Sequence, residues 1–414
     1  MWLSAARLNA LKTTQTTLAI TSNRMGIHTT RLHSPRSSAD LESSAIDDGT
    51  RQTTCGEASS SSPRDSSKQI HVLGIGNIGK LFAHALATKP LPPPIILLLH
   101  RKNLLDAWEE AGRVVEVITN DIANREGAFG VEVIGSPTNL DQEHKTIDNL
   151  IVATKTLHTT AALQSIRRRL GPSSTILFAQ NGMGTIEEVS AKVFPDVHLR
   201  PRFLSCVNNH GIYTHGPFSC VHAGLGTVTI SAVEGGRDIF GDQPSYLAQQ
   251  VVGAPLLAAR AVSSEELMLL QFDKLVVNAM INPLTVIFDR KNGDLFSSRP
   301  IARLMSLLLS EVGHVIRSLP ELQNLSSVSE RFSTSGLHDV VLNVAQMTAM
   351  NTSSMLQDVR AGRTTEIDYI NGYIVRRGLE LGIDCNNNER LIALVKETHV
   401  VGEDEIGKYF LDYV

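Results

Sequence analysis

The sequence lacks several features that would by themselves suggest a class of protein. Its 4 cysteines form no CxxC pair, which leaves neither a zinc signature nor a disulfide framework and fits a reducing compartment. The longest apolar run, PIILLLH from Pro94, is much too short to span a bilayer. No cluster of lysine and arginine forms a broad basic surface. We therefore expect no metal, no membrane span and no nucleic-acid partner.

The bulk composition is that of a globular protein. The chain has 414 residues, of which 42% are hydrophobic and 19% charged, and its formal net charge is −4. Those values exclude a largely disordered chain. The length is sufficient for two domains, each with a sizeable core.

Acidic residues are missing from the first part of the chain. Residues 1–39 contain five basic residues and no Asp or Glu. This composition is typical of a mitochondrial transit peptide, and it predicts import into the matrix. The alternative is an ordinary tail on a cytoplasmic protein. The serine-rich stretch that follows predicts a linker, so that residues 1–68 lie outside the folded domains.

A glycine motif opens the folded region. The segment QIHVLGIGNIGKLFAHALA places Gly74, Gly76 and Gly79 between an apolar strand and an amphipathic helix. In a dinucleotide-binding fold these glycines permit a tight turn, close approach to a pyrophosphate and close helix–strand packing. Residues 69–262 are therefore predicted to form a Rossmann-like domain. The predicted cofactor-binding residues of this loop are Gly74, Ile75, Gly76, Asn77, Ile78 and Gly79.

The end of the second predicted strand indicates the type of cofactor. In PPPIILLLHRKN the strand ends at His100, Arg101 and Lys102, with no carboxylate. An acid there would bind the ribose 2′-hydroxyl of NAD, whereas cations suit the 2′-phosphate of NADP(H). We therefore predict NADPH/NADP⁺ as the cofactor, with a solvated basic loop end as the alternative.

Further apolar segments follow at βαβ spacing. VEVI near residue 131, DNLIVATK near 148 and STILFAQNG near 174 predict a parallel sheet covered on both faces. Ligands of such sheets lie beyond the carboxyl ends of the strands. Lys155 and Asn181 follow two of these strands, and we predict that both face the ligand.

The region after this sheet contains three histidines. RPRFLSCVNNHGIYTH and GTVTISA predict additional strands, and His210, His215 and His222 lie in or near them. Their spacing matches no familiar metal-ligand pattern. We interpret them as ordinary polar residues near strand ends.

Residues 263–414 change to long helical patterns and predict an all-α domain. Lys274, Asn278 and Asn282 recur at i, i+4 and i+8, so one helix face carries a cation and two amides. This face is either exposed or lines a polar cavity. Pro283 has no N–H and should kink or end the helix.

One acid lies in an apolar pattern. Interpreted as a helix, GRTTEIDYINGY aligns Glu366 with Tyr369, Ile370 and Tyr373. A structural acid at a helix edge is the simple explanation. Together with Lys274 and the amides, however, Glu366 completes a set suited to carbonyl reduction. A partly desolvated lysine can protonate the developing alkoxide, and the acid and amides can hold substrate hydroxyl groups.

These residues resemble the ketopantoate (2-dehydropantoate) reductases. The resemblance covers residues 69 to about 400 and rests on GIGNIG, QNGMG at 180, KLVVNAMINPLT at 274 and SSMLQDVRAGRTTEIDYINGY at 353. It implies a Rossmann domain followed by a helical domain, with the active site between them. It also implies NADPH-dependent reduction of 2-dehydropantoate to (R)-pantoate, a step toward pantothenate and coenzyme A.

The resemblance also implies roles for individual residues. Lys274 would be the catalytic proton donor, and Glu366 would bind the substrate hydroxyl, support catalysis and lie beside the cofactor. Arg101 would meet the 2′-phosphate. The remaining positions would bind the substrate (Asn278, Asn282, Ser354), the cofactor (Lys155) or both (Asn181).

Two alternative functions stay open, and so does the oligomeric state. The substrate could be another branched 2-oxo acid, since loops that rim a cleft set selectivity. The chain could instead be a non-catalytic NADP-binding regulatory protein. The family also leaves room for a homodimer.

Overall fold

The structure is a computed structural model that describes residues 66–135, 145–233, 245–325 and 327–413. The predicted transit peptide and nearly all of the predicted linker lie outside these residues. The described strands lie between Ile70 and Ala261, and each described element from Ser264 onward is helical. An α/β N-terminal part and an all-α C-terminal part are therefore confirmed.

The described strands are β1 (Ile70–Leu73), β2 (Ile95–Leu99), β3 (Val115–Thr119), β4 (Ile122–Glu126), β5 (Phe129–Val133), β6 (Asn149–Val152), β7 (Thr175–Phe178), β8 (Arg202–Asn208), β9 (Gly211–Gly216), β10 (Ser219–Gly224), β11 (Val228–Ala232) and β12 (Arg260–Ala261). The principal sheet contains eight of them, in the order β12-β11-β8-β7-β6-β1-β2-β5. In that order, neighbouring strands from β8 through β5 are parallel, whereas β8 and β11 are antiparallel.

The central strands are covered on both faces, as their continuous apolar sequences predict. All residues of β1, β6 and β7 are buried. Because the strands run parallel, their carboxyl ends meet at one edge of the sheet, where ligands bind in such folds. The connecting helices are α1 (Asn77–Ala87), α2 (Lys102–Glu110), α3 (Thr156–Ser165), α4 (Thr185–Lys192) and α5 (Tyr246–Val252).

A second sheet, of order β4-β3-β10-β9, was not predicted from the sequence. Its β3–β4 hairpin turns at Asn120 and Asp121, whose φ angles are 50° and 61°. Two residues with positive φ are typical of the tight turn that joins antiparallel strands. The alternation in VVEVIT followed by Asn-Asp was therefore a usable hairpin signal.

The helical part packs around one core that includes the long helix α6 (Ser264–Ile287). Ser263 caps α6 by accepting from the backbone N–H of Glu266 at 3.1 Å. The next long helix buries an apolar stripe at helical spacing, from Ile301 through Ile316. The described helices after α6 are α7 (Arg299–Ser318), α8 (Val328–Arg331), α9 (Thr334–Met347), α10 (Ser354–Arg360), α11 (Asn371–Glu380), α12 (Asn386–Lys396) and α13 (Ile406–Tyr409).

One local expectation was wrong, and a second was wrong in one of its two forms. Residues 362–373 do not form one helix, because α10 ends before Gly362, whose φ is 64°, and a 3₁₀ turn at Ile367–Tyr369 precedes α11. Glu366 therefore does not lie on a helix face with Tyr373. Pro283 was expected to kink or end its helix; it does not end it, since α6 continues to Ile287.

Candidate active site

A cleft of about 1950 Å³ lies between the carboxyl edge of the principal sheet and helices α6 and α10. Residues of both parts of the fold line it. With the exception of Gly79, each residue predicted to take part in catalysis or binding contributes to its wall. The lining residues from that set are Gly74, Ile75, Gly76, Asn77, Ile78, Arg101, Lys155, Asn181, Lys274, Asn278, Asn282, Ser354 and Glu366.

The glycines of the loop differ in how much space surrounds them: Gly74 and Gly79 pack against backbone atoms, whereas Gly76 does not. A Cβ on Gly74, whose φ is 96°, would lie 2.5 Å from the backbone nitrogen of Thr154, and one on Gly79 would lie 2.0 Å from the oxygen of Gly74. At Gly76 the nearest atom would be 3.9 Å away. Gly76 thus leaves space in front of the first turn of α1, whose N–H groups have no intrahelical acceptors. The loop fits a dinucleotide pyrophosphate.

At another part of the cleft, Arg101 immediately precedes α2 and donates from Nε to Nε2 of His100 at 2.8 Å. His158, on α3, also lines the cleft. Burial together with the charges of Arg101 and His158 lowers the pKa of His100. Lys102 is exposed and is not part of the wall. Among the described lining residues the only acid is Glu366, so the wall suits an anionic group beside Arg101.

Lys274 extends from α6 into the cleft and donates to the backbone oxygen of Asn208, at the end of β8. Desolvation by burial lowers the pKa of Lys274 to about 8, although the nearby Cys206 and Glu366 oppose this shift. At neutral pH the ammonium group is therefore protonated, yet it releases its proton far more readily than an exposed lysine. Asn278 and Asn282 continue along the same face.

Glu366 is buried at 8% exposure and connects the helical part to the start of α3. Its Oε1 accepts from the backbone N–H of Thr156 at 3.0 Å and from the hydroxyl of Thr156 at 3.1 Å. Its Oε2 lies 3.7 Å from Nζ of Lys155. A carboxylate is favoured at a helix N-terminus. Glu366 is thus a satisfied structural acid that also faces the cleft.

Lys155 has a second acidic partner that the sequence did not indicate. Its Nζ donates to Asp358, which is 4% exposed and also accepts from Nε of Arg363 at 2.9 Å. Since Lys155 belongs to the sheet part and Asp358 to α10, this ion pair joins the two walls of the cleft. Nothing in the spacing of α10 singled out Asp358 from sequence.

The loop that carries Asn181 packs directly against the segment after Glu366. Gly182 has a φ of 81°, and a Cβ on it would lie 2.7 Å from the backbone oxygen of Tyr369. That same oxygen accepts from the N–H of Met183 at 2.8 Å. The motifs QNGMG and EIDYINGY are therefore adjacent in space, and Gly182 is required by their contact.

Two adjacent serines have different environments. Ser353 is buried; its Oγ accepts from the backbone N–H of Leu356 at 3.0 Å and contacts the Thr285 hydroxyl at 2.6 Å. Ser354 is exposed and lines the cleft. Ser353 thus caps α10, while Ser354 is available to a ligand.

Asn292 also lies in the wall of the cleft and was not predicted from the sequence. Its Nδ2 donates to the hydroxyl of Thr348 at 2.9 Å, while its buried Oδ1 has no hydrogen-bond partner within the described parts of the chain. Buried polar atoms usually have a hydrogen-bond partner, so this oxygen is an exception at the cleft wall. The Asn-Gly pair at 292–293 carried only a turn signal in the sequence.

The interpretation of the histidines also changes in part. His222 is 2% exposed, and its Nε2 lies 2.9 Å from Nδ1 of His210, which lines the cleft. His215 is exposed. The three histidines thus lie in or next to the ends of β8, β9 and β10, as expected, but His222 is buried and paired with His210 rather than an ordinary polar residue.

The described residues contain neither a metal-binding cluster nor a membrane-spanning helix. Groups of three or more His, Cys, Asp or Glu side chains arranged to hold a metal ion were not found there. No helix within 66–135, 145–233, 245–325 and 327–413 has the length and apolar character to cross a membrane.

Comparisons with known proteins agree with this arrangement. The family described as Ketopantoate reductase PanE/ApbA matches residues 70–235, and its C-terminal counterpart matches residues 266–399. The probable 2-dehydropantoate 2-reductase of Schizosaccharomyces pombe is 32% identical over 79% of this chain and 95% of its own length. Ketoisovalerate reductase BEA2 of Gibberella fujikuroi is 31% identical over 84% of this chain and 87% of its own.

Solved structures share the fold. The structure of the probable 2-dehydropantoate 2-reductase panE from Bacillus subtilis superposes with a TM-score of 0.60 at 24% identity, covering 80% of this chain and 100% of that one. Sequence families, relatives and fold thus agree, and the chain belongs to the ketopantoate reductase family of oxidoreductases.

Proposed function

We propose that the protein reduces the 2-oxo group of 2-dehydropantoate to give (R)-pantoate, with NADPH as the reductant. The observation that carries this proposal is the position of Lys274, whose pKa is lowered to about 8, in the same cleft as the glycine loop. The same cleft thus holds a readily released proton and a loop that fits a dinucleotide.

The chain contributes a proton and a fixed set of hydrogen bonds. NADPH, when bound along the glycine loop and Arg101, supplies the hydride. Nζ of Lys274 donates its proton to the oxygen of the reduced carbonyl, and its positive charge stabilises the negative charge that develops there. Because Lys274 is partly buried, that charge acts with little screening by water.

The other polar residues of the cleft orient the 2-oxo acid. The amides of Asn181, Asn278 and Asn282 hold its hydroxyl and carbonyl oxygens, and Ser354 donates to its carboxylate. Glu366 accepts from the substrate hydroxyl, and Lys155 lies at the cofactor. These roles follow from the family resemblance and from the positions of the side chains in one cleft.

The test is to incubate the purified full-length chain with NADPH and 2-dehydropantoate and to identify the product by chiral chromatography. The proposal predicts one (R)-pantoate formed per NADPH oxidised. Absence of pantoate from a preparation that still binds NADPH would contradict it.

Another branched 2-oxo acid is the second candidate substrate. The name of the Gibberella fujikuroi relative, a ketoisovalerate reductase, favours it. 2-Dehydropantoate carries a hydroxymethyl group where 2-oxoisovalerate has a hydrogen, and a site with Glu366 and several amides is suited to bind its hydroxyl. The non-catalytic regulatory alternative has no comparable support.

The rate of reduction should fall at alkaline pH. Because the proton donor Lys274 has a pKa of about 8 in the folded protein, kcat/KM for reduction should be constant below pH 7 and fall above pH 8. Oxidation of pantoate needs the neutral amine and should rise through the same pKa. Initial rates in both directions between pH 6 and 10 would check this; a flat profile to pH 10 would contradict it.

Arg101→Ala should weaken NADPH binding and leave NADH binding nearly unchanged. A hydrogen bond to a charged group contributes about 1.5–3 kcal/mol, which corresponds to roughly 10- to 150-fold in Kd. Fluorescence titration with each cofactor measures this. Lys102→Ala, which alters an exposed neighbouring cation outside the cleft wall, is the matched control and should have a small effect. Equal losses for NADPH and NADH would exclude a 2′-phosphate contact.

We also propose that the chain is imported into mitochondria, which the basic, acid-free residues 1–39 support. A fluorescent fusion of the full chain should co-localise with a matrix marker, and a fusion without residues 1–39 should not. Equal distribution of both fusions in the cytoplasm would contradict import. A homodimer stays a prediction, which analytical ultracentrifugation can test.

A further inference from the structure

Pro283 leaves one backbone carbonyl without its usual hydrogen-bond donor in the helix that carries Lys274. In an α-helix the N–H of residue 283 would donate to the carbonyl of Ala279, but proline has no N–H. Ala279 is fully buried, so water does not replace that donor. An unpaired buried carbonyl is destabilising. The carbonyl lies between Asn278 and Asn282 on the sequence of α6.

Asn371 supplies the missing hydrogen bond. Its Nδ2 donates to the oxygen of Ala279 at 2.9 Å, and the Asn371 side chain is fully buried. Asn371 is the first residue of α11, five residues after Glu366. One amide therefore connects the helix of the proton donor with the segment of the buried acid.

The orientation of this amide is set by a buried chain of polar groups. Nδ2 of Asn371 also donates to Oδ1 of Asn388 at 3.0 Å. Nδ2 of Asn388 donates in turn to a carboxylate oxygen of Glu311 at 2.7 Å. That oxygen only accepts, so Asn388 must present its own oxygen to Asn371. Asn371 is held through its two N–H groups, while its Oδ1 has no partner among the described residues.

We propose that Asn371 is a positioning residue for carbonyl reduction. By donating a hydrogen bond to the carbonyl oxygen that Pro283 leaves free, it fixes the Lys274 helix relative to Glu366. This inference rests on the proposed function only in that it needs a 2-oxo acid that the enzyme turns over. It assigns Asn371 no contact with substrate or cofactor.

Asn371→Leu keeps the approximate volume of the side chain and removes both donated hydrogen bonds. We expect kcat to fall about 10-fold or more, while the Kd for NADPH changes less than twofold because the glycine loop is not connected to this amide. The matched control is Asn387→Leu. Asn387 is also buried on α12, but its side chain accepts from the N–H of Leu411 at 2.8 Å and does not bond to α6. The control should lower thermal stability and keep kcat within about twofold.

A rescue experiment separates positioning from general loss of structure. Pro283→Ala restores a backbone N–H at position 283, which can donate to the carbonyl of Ala279. In that background Asn371→Leu should lower kcat no more than about threefold. The double variant also provides the test if Asn371→Leu alone does not fold.

Two results would overturn the proposal. One is a wild-type kcat for folded Asn371→Leu. The other is that Asn371→Leu lowers kcat, or prevents folding, to the same extent whether residue 283 is proline or alanine. Each comparison is a ratio of rates with one 2-oxo acid, so it holds for whichever acid the wild type reduces. If no 2-oxo acid is reduced, it is the proposed function that fails.

Discussion

Lys274→Ala should lower kcat for the reduction of 2-dehydropantoate by about 10²-fold or more, since a positioned general acid contributes roughly 10²- to 10⁴-fold. The NADPH affinity should remain near that of the wild type, because Lys274 is not among the residues assigned to the cofactor. Stopped-flow or steady-state NADPH oxidation, combined with fluorescence titration of NADPH, measures both quantities.

Lys274→Arg is the informative companion variant. Arginine keeps the positive charge, but its pKa is too high for it to release a proton near neutral pH. If Lys274 acts by proton donation, the arginine variant should be almost as slow as the alanine variant. A kcat close to wild type for Lys274→Ala would show that the proton comes from another group.

Glu366→Gln should lower kcat/KM for the 2-oxo acid by about 10- to 150-fold, because hydrogen bonds to a charged group contribute about 1.5–3 kcal/mol. Glutamine preserves the volume and an oxygen for the N–H of Thr156. It removes the charge that attracts Lys155 and raises the pKa of Lys274. The midpoint of the alkaline decline in rate should therefore move to lower pH. Initial rates as a function of pH measure both effects.

The control for Glu366 is Thr156→Val. This change removes the hydroxyl donor at 3.1 Å and keeps the backbone donor at 3.0 Å, so kcat/KM should change by less than about threefold. If Thr156→Val were as damaging as Glu366→Gln, the acid would be needed for helix contacts alone rather than for the substrate.

The parts predictable from sequence were those fixed by local pattern. Continuous apolar runs identified the buried parallel strands, and the Gly74–Gly79 spacing identified the strand–turn–helix unit. Helical spacing placed Lys274, Asn278 and Asn282 on one face. In each case the signal lies within fewer than twenty consecutive residues, so no knowledge of distant contacts was needed.

The parts that were missed depend on distant contacts. Asp358 matters because Lys155, 203 residues away, pairs with it. The interruption near Gly362 replaces a helix that periodicity alone favoured, since Glu366 bonds to Thr156 rather than lying on a helix face. Pro283 stays inside its helix, and the carbonyl that it leaves free accepts from Asn371, which is far along the chain. Single-sequence periodicity does not report such pairings.

The most direct test of the account is the ratio of kcat/KM for 2-dehydropantoate to that for 2-oxoisovalerate, measured with saturating NADPH on the full-length chain. A site that hydrogen-bonds the extra hydroxyl through Glu366 and the amides should prefer 2-dehydropantoate by at least about 10-fold. A ratio of one or below would contradict the assignment and identify the smaller 2-oxo acid as the substrate of this cleft.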